Sequence, residues 1–190
     1  MQKYLLLWLL MKTNILVFCD SSTIKHNDKS ISKMSSIYFY QKKSKKVHIE
    51  ILEEDNNNVA ELMNLIKTLF ILDEFSSDFK KNHPIIINND CRYAIDTMNQ
   101  FLSYVKKMRG IPELLDYYKE HEKCKFEKTN RYYAFKICEK RILRAEFPPS
   151  KLIFTLMHLM DTNKILFKWI PREENILADM MSKSSKTVQK

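Results

Sequence analysis

Two short apolar runs each end on an aspartate. Asn14–Cys19 (NILVFC) runs into Asp20, and Pro84–Asn89 (PIIINN) runs into Asp90. Continuous apolar runs of this length suit strands buried on both faces of a sheet, as central parallel strands are. Such strands need helices above and below them, which points to an α/β class. Adjacent parallel strands also end at one edge of the sheet, so Asp20 and Asp90 are expected side by side there.

The remaining elements follow from periodicity. Ser21–Lys33 is polar and reads as a loop. Ser36–Gln41 and Val47–Leu52 alternate as a hairpin whose turn carries Lys42, Lys43, Lys45 and Lys46. Asp55-Asn56-Asn57-Asn58 caps a helix over about 59–72, with Leu62, Leu65, Ile66 and Leu69 on one stripe. Glu61 falls in its first turn, where an acid suits the helix dipole. A helix over 92–106 is ended by Gly110, the only glycine. Two helices are expected near 112–121 and 130–144, another from Pro148 to Met160, a strand at 164–169 and a helix at 173–183 that carries Asp179. The expected fold is a five-stranded mixed sheet, its first three strands antiparallel, flanked by helices. The expected domain is 13–184, with a basic helical insertion at 106–147 and a polar tail at 185–190. Leu5–Leu10 lies between Lys3 and Lys12. It is too short to span a bilayer and precedes no small-residue cleavage site, so 1–12 is expected to be an N-terminal extension. The expected location is intracellular, cytoplasmic or nuclear, and the expected state is a monomer away from membranes.

At 190 residues, 45% hydrophobic and 12% aromatic, the chain suits one packed domain. Its formal charge of +9 implies an anionic partner, most simply nucleic acid, although a Lys-, Asn- and Ile-rich composition produces the same excess. Cys19, Cys91, Cys124 and Cys138 form no CxxC pair and read as reduced thiols. His121, Cys124 and Cys138 fall one ligand short of a structural zinc site.

Asp20, Glu61, Asp90 and Asp179 carry the chemistry. Each alone is more simply a cap or a solvated strand end. Four carboxylates converging from two strand ends and two helices form a hard-oxygen site for two divalent cations, the arrangement that metal-assisted phosphodiester hydrolysis needs. An acidic pocket in a basic body therefore points to a metal-dependent nuclease.

Four segments resemble the ribonuclease H family: 18–22 (FCDSS), 57–63 (NNVAELM), 88–94 (NNDCRYA) and 169–179 (WIPREENILAD). The last is similar to the plant and retroelement-like branch. Each motif is short, and their order and spacing over about 14–183 make the match specific. The resemblance implies that Asp20, Glu61, Asp90 and Asp179 bind two Mg²⁺ or Mn²⁺ ions. It implies that Asn57 and Asn58 read 2′-hydroxyls, as short amides can. It places Arg92, Asn175, Lys106, Lys107 and Arg109 among the nucleic-acid contacts. The implied activity is endonucleolytic cleavage of the RNA strand of RNA–DNA hybrids, leaving 3′-hydroxyl and 5′-phosphate ends. The alternatives are a weak or inactive nucleic-acid-binding domain, or a same-fold nuclease acting on branched DNA.

Two departures stand out. Ser21 takes the place of a glycine usual in the family after the first aspartate. No histidine lies between Trp169 and Asn175, where bacterial-type members have one; none of His26, His48, His83, His121 or His158 occupies that loop. The interval from Lys106 to Arg144 interleaves twelve basic residues with tyrosines, among them Tyr117, Tyr118, Tyr132 and Tyr133. It reads either as a protrusion gripping DNA or as two solvated helices over a satellite core. Trp169 reads as a strand core residue.

Overall fold

The computed structural model describes residues 14–26, 29–40, 43–52, 56–74, 76, 83–109, 137–138 and 140–183. In chain order the elements are β1 (Ile15–His26), β2 (Lys29–Tyr40), β3 (Lys43–Leu52), α1 (Asn57–Glu74), β4 (Ile85–Asn89) and α2 (Arg92–Met108). Then come α3 (Pro149–Thr162), β5 (Ile165–Trp169), a 3-10 turn (Arg172–Glu174) and α4 (Ile176–Lys183). The strands lie in the order β3-β2-β1-β4-β5. Pairing is antiparallel across β3-β2-β1 and parallel across β1-β4-β5. None of the helices among the described residues is long and apolar enough to cross a membrane.

The polar stretch after Asp20 is strand, not loop. β1 pairs with β4 only from Ile15 to Phe18, then continues against β2 alone as far as the His26–Lys29 pair. This arm outruns the rest of the sheet, so its residues need not be apolar; Ile24 there is exposed. Thr23 and Ser32 instead bond hydroxyl to hydroxyl across the pair at 2.7 Å. Asp20 is therefore in mid-strand. Because the chain stays extended through Ser21 and Ser22, no left-handed residue is needed, and the family's usual glycine has no backbone task here.

Alternation along β1 sends neighbouring side chains to opposite faces. Cys19 faces α1, where Ser36, Thr68 and Asn64 form a buried polar cluster with it: Cys19 Sγ lies 3.3 Å from Thr68 Oγ1, and Ser36 donates to Asn64 Oδ1 at 2.7 Å. Asp20 faces α4, and its partner across the ladder, Ser35, donates to the Ala178 carbonyl at 2.8 Å. Asn64 clamps helix to sheet by donating to the Asp20 and Ser35 carbonyls at 2.9 and 3.0 Å. Around this clamp, Leu62, Leu65, Ile66 and Leu69 of α1 are fully buried with Ile87 of β4 and Met98 and Phe101 of α2. Each such side chain contributes about 1.5–3 kcal/mol through the area it removes from water.

Residues 110–136 lie outside the described residues, and with them Gly110, His121, Cys124 and most of the expected basic insertion. Beyond them, Cys138, Ile142 and Ala145 join the core, and Arg141 donates to Thr97 Oγ1 at 2.9 Å with its guanidinium over the Tyr93 ring.

The helix expected at 59 begins at Asn57, and the capping residue is Asn56. Its Oδ1 accepts from the Asn58 and Val59 amides at 3.0 and 3.3 Å. Asn57 and Asn58 are thereby relieved of capping. Asn56→Ala is expected to lower stability by about 1 kcal/mol in urea unfolding, and Asn57→Ala by much less; equal losses would return the cap to both residues.

Candidate active site

Three of the four carboxylates meet. One oxygen each from Asp20, Glu61 and Asp90 lies within 4.8 Å of the others. Asp20 arrives from β1, and Asp90 from the residue after β4. Glu61 arrives from the second turn of α1, not the first, because the helix starts earlier than its apolar stripe suggested.

Each carboxylate is held by a specific donor. Glu61 Oε1 accepts from the Ser21 amide at 3.0 Å and Oε2 from Asn89 Nδ2 at 2.8 Å. Asn89 also donates to the Cys19 carbonyl at 3.0 Å and accepts from the Cys91 amide at 2.8 Å, joining β1, β4 and the entry to α2. The Ser182 hydroxyl donates to Asp20 Oδ2, and Ser22 donates to the Ser182 carbonyl at 2.7 Å. Trp169 Nε1 donates to the Asp90 carbonyl at 2.8 Å.

Burial, then the charges of Asp90 and Asp179, pushes the Asp20 carboxyl up to about 6, against the opposing Ser182 hydrogen bond. Glu61 is raised well above the usual carboxylate range by burial and then by Asp20, although Asn89 and Ser21 donate to it. Both side chains are only 2% exposed. Asp179 differs. Burial would raise it, yet Lys183 at 2.7 Å and Arg172, through Nε at 3.0 Å and Nη2 at 2.7 Å, hold it below the ordinary value. It stands beside the trio, close enough for Asp20 to feel its charge, with its own charge already balanced.

The trio opens onto a cleft of about 440 Å³ whose wall includes Asn57, Asn58, Arg92, Tyr93 and Arg172. Asn57 Oδ1 accepts from Thr23 at 3.2 Å and Asn58 Oδ1 from the Cys91 thiol at 3.5 Å. Both residues are exposed, and among the described residues neither amide N–H₂ has a partner.

Several expected contacts lie elsewhere. Asn175 is 1% exposed, because its amide turns inward to the Cys19 carbonyl at 2.7 Å and Asp90 Oδ1 at 3.5 Å. Its amide is thus directed at the β1 backbone and at Asp90. Lys106, Lys107 and Arg109 sit at the far end of α2 from Arg92, about 20 Å along the axis. Arg109 is engaged there by Asp161 and by the Met160 carbonyl at 3.3 Å. Trp169 is 38% exposed at the site and not in the core. Ser182, at the end of the expected last helix, is buried against Asp20. Asn89, Ser182, Trp169 and Arg172 are thus site residues that the sequence reading passed over. Only the adjacency of Asn89 to Asp90, and the place of Trp169 and Arg172 within the 169–179 segment, could have pointed to them.

The raised carboxyls carry a pH signature. Asp20 holds a proton in the folded chain up to about pH 6, whereas the unfolded chain releases it near 3.8, as an ordinary aspartate does. The resulting stability is therefore present at low pH and lost as the pH rises through 6. In chelator, the wild type is expected to lose about 2 kcal/mol relative to Asp20→Asn between pH 4.5 and 7.5. Parallel unfolding profiles for the two proteins would contradict this electrostatic account.

The chain is similar in fold to a foamy viral protease-reverse transcriptase solved with an RNA/DNA hybrid (TM-score 0.52, 12% identity), covering 89% of this chain and 19% of that one. LC11-RNase H1, isolated from compost and also solved with an RNA/DNA hybrid, has a TM-score of 0.47 and 16% identity, with 87% and 91% coverage. RNase H1 from the archaeon Halobacterium salinarum has a TM-score of 0.48 and 12% identity, with 87% and 92% coverage. No curated protein matches the chain. The sequence model of RNase H matches residues 12–186, nearly the whole length, and on that match the chain belongs to the RNase H family.

Proposed function

We propose that this chain is an endonuclease that hydrolyses the RNA strand of RNA–DNA hybrids with the help of two divalent cations, Mg²⁺ or Mn²⁺. The observation that carries the reading is the meeting of Asp20, Glu61 and Asp90, with oxygens within 4.8 Å, on the floor of an open cleft. The donors fit a hard cation: all are carboxylates, and two are pushed up by burial and mutual repulsion that a cation would relieve. Asp20, Glu61 and Asp90 would hold it, and Asp179 would complete a second position. When bound, divalent cations supply Lewis acidity that polarises the phosphoryl group and acidifies water.

The chain's own groups do the rest. Asn89 and the Ser21 amide orient Glu61, Ser182 orients Asp20, and Asn175 with Trp169 holds Asp90. The open amides of Asn57 and Asn58 beside Glu61 suit recognition of 2′-hydroxyls, which only the RNA strand offers. Water attacks the phosphodiester in line and the 3′-oxygen leaves, giving 3′-hydroxyl and 5′-phosphate ends.

One observation favours a weaker enzyme or a binding domain. Asp179 is already paired with Arg172 and Lys183, so an ion using it must displace them. A labelled hybrid, presented beside double-stranded RNA, duplex DNA and a four-way junction with Mg²⁺ or Mn²⁺, separates the readings. Hybrid-specific cutting is expected, with at least a hundredfold loss in Asp90→Asn, on the order expected when a charge-stabilising group is removed. Binding without cutting would establish the binding domain, and junction cutting alone would move the activity to branched DNA.

A further inference from the structure

Arg92 and Trp169 form a unit at the rim of the cleft. The Arg92 guanidinium lies over the Trp169 ring, 4.4 Å from its centroid. Arg92 is exposed, and among the described residues it makes no hydrogen bond or ion pair, unlike Arg109, Arg141 and Arg172, which are each engaged by an oxygen acceptor. A guanidinium with its donors open costs little to desolvate on one face when an aromatic ring already covers the other. The indole beneath is fixed as well. Trp169 pairs with Asn89 across β5-β4, and its Nε1 donates to the Asp90 carbonyl at 2.8 Å.

We infer that Arg92, held over the Trp169 ring, is a preformed receptor for a backbone phosphate of the bound nucleic-acid strand, at the cleft that Asp90 also lines. The inference rests on the nucleic-acid reading above and specifies which ligand group meets the rim. A guanidinium presents paired N–H groups to two phosphate oxygens, as a lysine cannot. Trp169 covers one side of the guanidinium and, through its indole N–H, ties the phosphate receptor to the backbone that carries Asp90. Trp169 is a positioning residue in this arrangement and Arg92 a binding one.

The chain has two tryptophans, Trp8 and Trp169, so Trp8→Phe leaves Trp169 as the only indole reporter. In that background, a short RNA–DNA hybrid is titrated in EDTA, where metal-dependent cutting is blocked, with tryptophan emission and hybrid anisotropy followed at several salt concentrations. Binding is expected to change Trp169 emission. Arg92→Ala is expected to weaken binding about tenfold, lower the salt slope by about one and abolish the emission change. Arg92→Lys should recover the salt slope without recovering the affinity, and Trp169→Ala should weaken binding while keeping the slope. Unchanged affinity in Arg92→Ala, beside normal binding by the parent, would overturn the receptor. So would a loss of affinity with no change in slope, which would indicate base stacking instead. Failure of the parent itself to bind the hybrid would overturn the nucleic-acid reading first, and the receptor with it.

Discussion

Asp20, Glu61 and Asp90 repel one another, and two of the three are buried where repulsion is least screened. A fold that brings like charges together must hold them there by other means. The frame that does so is made of neutral donors. Asn89 fastens Glu61 to the β1 backbone, the Ser21 amide takes the other oxygen, and Ser182 reaches Asp20 from α4. None of these donors neutralises charge. They fix the positions of the carboxylates and leave the electrostatic imbalance for an incoming cation to relieve.

α4 shows how closely that frame depends on distant elements. The helix has eight residues, too few to be stable on its own, and Ile176, Leu177 and Met180 point outward. It is retained by polar contacts to the hairpin: Ser35 to the Ala178 carbonyl, Ser22 to the Ser182 carbonyl and Ser182 to Asp20. The serines that follow and face Asp20 thus join the last helix to the first strand. This use explains the polar sequence of a strand that would otherwise read as a loop.

The apolar runs ending at Asp20 and Asp90 were sufficient to foresee parallel central strands and the meeting of their aspartates, because burial on both faces leaves a continuous hydrophobic trace. The stripe of α1 was equally clear. The extension of β1 beyond Asp20 was not, since a hairpin arm outside the core carries no such trace. Positions such as Ser182 and Trp169 were illegible for a different reason. A serine near the end of a helix and a tryptophan in a strand have ordinary local explanations, and only the tertiary fold brings one to Asp20 and the other to the Asp90 carbonyl. Asn175 was singled out only by the resemblance, and the fold turns its amide inward to the Cys19 carbonyl and Asp90.

The central claim is that the buried carboxylates are assembled to take up divalent cations. Counting free Mn²⁺ by electron paramagnetic resonance during titration of the full chain addresses it without requiring substrate or turnover. Saturable binding is expected in the wild type, lost or at least tenfold weaker in Asp20→Asn and Glu61→Gln, no less than the loss from changing a hydrogen-bond partner of a metal ligand. Equal Mn²⁺ uptake by the wild type and both variants, with all three folded, would contradict it.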